Sequence, residues 1–230
     1  MPAPQRYVDW INARLGFNPR AAKNSDALSE FIMEDLVAAS PAIAELVRSE
    51  RLVPSFNANI STRVTVRNID LVLYEKDLLP EISAQVSVEN KSVMTAHVKA
   101  RKNRYGDFIA YSNHMHNHRR DCIVGATVVI NTSLLYENPD AFARGLVRKP
   151  VNMDKVVRGT VKIFEGIPLR ETPLDPNDTP EALAVIVVDY NGVEAAKLVT
   201  SDLSPSLDSH AHYDNFIKRL AEKYQERFPQ

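Results

Sequence analysis

The spacing of apolar positions changes period several times along the chain, and each change marks an element. Leu28, Phe31, Ile32 and Leu36 recur at helical spacing, Ser25 or Asp26 can cap the start, and Pro41 follows the end. That predicts a helix with one apolar face over residues 25–40. Val64, Val66, Ile69, Leu71 and Leu73 then fit either two strands or one strand bent around Arg67 and Asn68. A turn at Leu78–Glu81 leads into Ile82–Met94, a strand by its β-branched content. From Val98 to His116 the helical period returns through Val98, Tyr105, Phe108, Ile109, Ser112 and Met115.

The run Cys122–Asn131 is apolar almost throughout, as in a strand covered on both faces of a central sheet. Residues 132–180 are polar and proline-bearing and read as an irregular insertion, with a short strand in Arg158–Ile167. Glu181–Gly192 is a further apolar strand ending in a turn. His212–Phe228 is an amphipathic helix striped by Phe216, Leu220 and Tyr224. The order helix, strands, helix, strand, strand, helix predicts an α/β sandwich in one domain, with a core over 25–131 and 181–228 around a mixed sheet.

Composition narrows the function classes. A chain of 230 residues with 44% hydrophobic content is long enough for one substantial core. Lys and Arg number 28 against 29 Asp and Glu, a net charge of −1, so any surface for nucleic acid must be local. One cysteine, Cys122, excludes a disulfide within the chain and a thiolate zinc cluster, and its apolar strand disfavours a nucleophilic role. The N-terminus lacks the apolar core of a signal peptide, and no run reaches the ~20 apolar residues of a membrane span, so the reducing cytoplasm is the expected location. There is no Gly-x-Ser-x-Gly, no phosphate-cradling glycine loop and no His-Glu-x-x-His.

Against this plain background the stretch Val86–Met94, VSVENKSVM, sets a carboxylate and an ammonium into a buried strand pattern. Alternation puts Val86, Val88, Asn90 and Ser92 on one face and Ser87, Glu89 and Lys91 on the other, with Glu89 and Lys91 ~7 Å apart along the strand. The bland alternative is a solvated pair on the open face of an antiparallel strand. Asp70 stands in a similar run, NIDLVLYE, where a lone carboxylate is costly without a partner, unless it caps a turn after Asn68. Two carboxylates and a lysine at one sheet edge solve that problem together. They also make an oxygen site for a hard cation, with an ammonium beside it to position water.

The order Asp70…Glu89-x-Lys91, with an acidic helix ahead and a basic helix behind, resembles the PD-(D/E)XK nuclease superfamily, which includes many restriction endonucleases. The resemblance covers roughly residues 25–131. It implies a restriction-endonuclease-like α/β/α core and Mg²⁺-dependent hydrolysis of DNA phosphodiester bonds, with Mn²⁺ able to substitute. Asp70 and Glu89 would hold the metal together with the backbone carbonyl of Asn90, and Lys91 would position the attacking water. The helix acid would be Glu30, with Glu34 one turn on as the alternative. Ile69 stands where the motif's name has proline.

Lys99, Arg101, Lys102, Arg104, Arg119 and Arg120 face a single acid, Asp107, between His97 and Arg120. Directly after Glu-x-Lys, they are the candidate phosphate contacts. His114, His116 and His118 fall at a helix end, where steps of two diverge by about 200° and a role at the helix dipole fits better than zinc chelation. The expected biology is a type II-like restriction or host-defence nuclease acting on double-stranded DNA as a homodimer, with residues 132–180 supplying DNA-reading loops or the dimer contact. Two readings from other classes stay open: a non-catalytic nucleic-acid-binding or assembly subunit on the same fold, and an enzyme whose site lies in 132–180.

Overall fold

A computed structural model describes residues 1–14, 23–133 and 152–229. In chain order the elements are α1 (Ala3–Asn12), α2 (Lys23–Ala39), α3 (Pro41–Arg48), β1 (Leu52–Ser61), β2 (Val66–Glu75), α4 (Pro80–Ser83), β3 (Ala84–Val93), α5 (His97–His118), β4 (Ile123–Asn131), α6 (Met153–Glu165), β5 (Ala182–Asp189), β6 (Lys197–Leu198) and α7 (Tyr213–Arg227). The described residues thus form an α/β fold of seven helices and one open, mixed sheet of six strands in the order β1 to β6. The β2 strand runs antiparallel to its neighbours β1 and β3, β3, β4 and β5 run parallel, and β6 closes antiparallel.

Helices cover both faces. One apolar cluster joins α1, α2, α3 and α7 to Leu71, Leu73, Val86, Val88, Ala184 and Ile186 of the sheet. A second joins α5 and α6 to Ala126, Val128, Ile130, Val185 and Val187. Both parallel crossovers, through α5 and through α6, therefore lie on the same side. A third cluster tucks Tyr111 and Met115 of α5 under Ala58, Ile60 and Ile69 of the β1–β2 hairpin. All nine residues of β4 are buried, as a continuous apolar run predicts for a central strand. Gly125 lets α7 come close: a Cβ there would meet Phe216 and Val88 side chains at 3.2 Å.

Several elements differ from the sequence pattern. Pro41 ends α2 and also starts α3, where its missing N–H costs nothing at the first position and Ser40 caps by accepting from the Ile43 N–H at 3.3 Å. The predicted bend at Arg67 and Asn68 is replaced by a turn earlier, where the Thr62 N–H donates to the Thr65 carbonyl at 2.9 Å, so both residues lie inside β2. Its partner β1 carries Pro54 and little apolar alternation, which hides it in the sequence. The strand expected within Arg158–Ile167 is helix up to Glu165: Val157, Thr160, Val161 and Phe164 follow a helical period, and the Asn152 side chain caps the start by accepting from the Lys155 N–H at 2.9 Å. Part of the supposed insertion, Met153–Glu165, is therefore a crossover helix packed on the sheet. Residues 134–151 of that segment lie outside the described residues.

Candidate active site

The β2–β3 ladder ends at the pair Leu71 and Val88, whereas β3 continues against β4 as far as Val93. The two strands part where Asp70 and Glu89 stand. Opposite, Asn57 has a φ of 54°, and Asn57 and Asp70 drop out of the β1–β2 ladder. Alternation breaks there: Ile69 packs under α5, while Leu71 joins the cluster under α2. This irregularity presents Asp70 to both the start of α2 and the freed edge of β3. Its carboxylate accepts from the Asn90 backbone N–H at 2.7 Å and from the Ser25 hydroxyl. Asp70 thereby satisfies a strand N–H that β2 no longer can.

Asn90 locks the centre. Its side-chain amide donates to Ser29 Oγ at 2.7 Å and accepts from Thr127 Oγ1 at 2.6 Å, tying α2, β3 and β4 together. On the other face of β3, Glu89 is buried and ion-paired with Lys91 through Oε1. Its second oxygen, Oε2, is buried without a protein partner. Burial raises the Glu89 carboxyl to about 7; Lys91 opposes that rise, Asp70 reinforces it and Arg67 opposes it weakly. A carboxylate in that state gains from any cation that reaches its open oxygen.

Beside Lys91 opens a cleft of about 470 Å³ between the starts of α2 and α5. Ser25, Asn90, Lys91, Ser92, Lys99 and Arg104 are among its lining residues. Arg104 is held by Ser92 O at 3.3 Å and Asp107 at 2.8 Å. Lys99 is exposed at its rim.

The six basic residues of the sequence pattern therefore divide. Lys99 and Arg104 reach the cleft. Arg101 lies against Gly159 of α6, and Lys102 is exposed outside the cleft lining. Arg119 and Arg120 stand at the other end of α5, ~30 Å away at 1.5 Å per residue. There they bond Asp121, the Ile82 carbonyl and the Pro173 carbonyl.

The acidic helix also departs from expectation. Glu30 is exposed and Glu34 pairs with Arg6 of α1, while Ser25 and Ser29, one turn apart, turn toward Asp70 and Asn90. Glu30 is rotated about 100° from Ser29 and misses that face. Among the described residues no group of three or more His, Cys, Asp or Glu side chains is placed to hold a metal.

The histidines go to three different partners. His114 Nδ1 accepts from Arg67 Nε at 2.6 Å, His116 faces Glu181 at 3.0 Å, and His118 bonds the Glu81 carbonyl. Burial and the Arg67 charge lower the His114 pKa. Sequence reasoning missed Ser25, Ser29, Arg67 and Thr127. The signal for the serines was their spacing of one helical turn on the side of Leu28 and Ile32, the buried side of α2. Nothing in the local pattern marks Arg67 or Thr127, whose roles depend on which strands pair. No helix among the described residues is long and apolar enough to cross a membrane. No protein-family model, curated protein or solved structure matches the chain significantly.

Proposed function

We propose that the protein is a Mg²⁺-dependent endonuclease that hydrolyses DNA phosphodiester bonds, in the manner of a type II restriction or host-defence enzyme. One observation carries the reading. Asp70 and Glu89 flank the point where β2 and β3 separate, close enough for the Asp70 charge to act on the Glu89 carboxyl, with Lys91 paired to Glu89 and a buried Glu89 oxygen left open. That orphaned oxygen suits a cation, and two carboxylates suffice for Mg²⁺, which keeps its other positions for water and substrate phosphate. Asp70 and Glu89 would hold the ion, which would supply charge stabilisation to the phosphate. Lys91, paired with Glu89 through Oε1, would hold and orient the attacking water. Lys99 and Arg104 would bind flanking phosphates along the cleft. Ser25 and the Asn90 N–H keep Asp70 oriented, and Ser29 with Thr127 keeps Asn90 in place. Action as a homodimer would bring two such centres to the two strands.

The test is digestion of mixed plasmid and phage DNA with Mg²⁺ or with chelator, running Lys91→Ala beside the native protein. Discrete Mg²⁺-dependent fragments, lost in the variant, are expected. The absence of a third metal-ligating side chain among the described residues favours a second reading, a non-catalytic nucleic-acid-binding or assembly subunit. Retention of DNA without any cleavage would select it.

A further inference from the structure

The β1–β2 hairpin runs past the candidate centre, and its two faces differ. Ala58, Ile60 and Ile69 pack onto Tyr111 and Met115 of α5. On the opposite face Asn59 stands directly across from Asn68, and both are exposed. Asn68 Nδ2 donates to the Asn57 carbonyl at 2.8 Å and to Asn59 Oδ1 at 3.2 Å. Those bonds hold the two amides together and leave Asn59 Nδ2 as a donor and Asn68 Oδ1 as an acceptor on neighbouring side chains, without protein partners. The tip is braced by Thr62, whose hydroxyl donates to the Thr65 carbonyl at 2.7 Å and accepts from the Thr65 N–H at 3.2 Å. Exposed Arg63 sits on that tip, and residues 52–69 carry Arg63 and Arg67 with no acid. Asp26 of α2 is bonded to Asn57 of β1, at 2.8 Å.

We propose that this hairpin is a base-reading arm that enters the major groove of duplex DNA and selects adenine through the Asn59–Asn68 pair. A two-stranded ribbon fits that groove, and adenine offers there an acceptor, N7, next to a donor, the N6 amino group. The donor of Asn59 matches N7, and the acceptor of Asn68 matches N6. The geometry is set before binding, so little ordering is lost on contact. Asn68 is two residues, ~7 Å, from Asp70, which places the selected base within about three base pairs of the phosphate at the candidate centre. The arm's positive charge and the cleft's Lys99 and Arg104 flank that centre from two sides. The position of the reading relative to a cut rests on the nuclease proposal; the reading itself does not.

A duplex library with a randomised core tests this. The wild-type protein selects from it in Ca²⁺, and the retained duplexes are then transferred to Mg²⁺ and their ends sequenced. Expected is an enriched adenine in the Ca²⁺-bound pool, within about three base pairs of any cut made in Mg²⁺. Asn59→Ala and Asn68→Ala should flatten that preference and weaken binding of the selected duplex about 5- to 150-fold. Arg63→Ala should weaken all sequences equally and lower the salt dependence by about one counterion. Thermal melts establish that each exposed-site variant is folded. Failure to retain any duplex, or a preference unchanged in both asparagine variants, overturns the inference. Selection in Ca²⁺ without cutting in Mg²⁺ leaves the arm supported and removes the nuclease.

Discussion

Replacing Glu89 by Gln makes the buried carboxyl permanently neutral and should change how stability depends on pH. In the native protein burial raises this carboxyl from its ordinary 4.5 to about 7. Below the lower value both folded and unfolded chains hold the proton and Glu89 contributes no pH dependence. Between 4.5 and about 7 the folded chain keeps a proton that the unfolded chain has lost, so stability falls as pH rises. Above the folded value the full difference is present, about 3 kcal/mol at about 1.4 kcal/mol per pH unit. Glu89→Gln removes that loss. Lys91 forfeits its ion-pair partner in the variant, an offset that comparing the two pH values removes. Urea unfolding with chelator present, at about pH 4.5 and about pH 8, measures both proteins. The variant should gain about 3 kcal/mol relative to wild type on going from the lower to the higher pH. A difference constant to within about 0.5 kcal/mol would refute the account of Glu89 as a carboxyl held neutral by burial. Mg²⁺ adds a check: it should stabilise the wild type more at the higher pH, because binding releases the proton.

Asp70→Ala leaves the Asn90 N–H without an acceptor and should cost about 1–3 kcal/mol in denaturant unfolding, while calorimetry should find Mg²⁺ binding lost. At the opposite end of the sheet Glu181 is fully buried and accepts from His116, Arg170, Arg227 and the Val124 N–H. Burial opposes its ionisation, but these donors outweigh it and hold its pKa below the ordinary value. Glu181→Ala strands two arginines and should cost about 3–5 kcal/mol, with Mg²⁺ affinity of the remaining folded protein unchanged by calorimetry. Gly125→Ala drives a methyl into Phe216 and Val88 and should lower stability by about 1–3 kcal/mol, read from the thermal midpoint. Cys122, raised to about 12 by burial, should resist a thiol reagent at about pH 8 and react once urea unfolds the chain.

The amino-acid sequence by itself determined the elements whose periodicity is clean. These are α2, β3, β4, β5 and α7, and also α5, although its surface is too polar for a strong apolar stripe. It singled out Asp70, Glu89 and Lys91 because charges in apolar strand runs need a collective explanation. It could not show that β2 and β3 part at those residues, since register is a relation between strands and not a property of either. Sequence proximity put Arg119 and Arg120 with Lys99, whereas a straight helix carries them ~30 Å away. It favoured Glu30 for its charge, whereas helix rotation turned Ser25 and Ser29 to the centre. Arg158–Glu165 is helix because Val157, Val161 and Phe164 recur at helical spacing in a window that starts at Met153, and that stripe covers a face of the sheet. The Asn59–Asn68 pair lies nine residues apart in sequence and exists only because Thr62–Thr65 folds the hairpin at that register. Tertiary structure decided every feature of the site that depends on two segments meeting, because burial, pairing and the open oxygen of Glu89 are created only when the layers close.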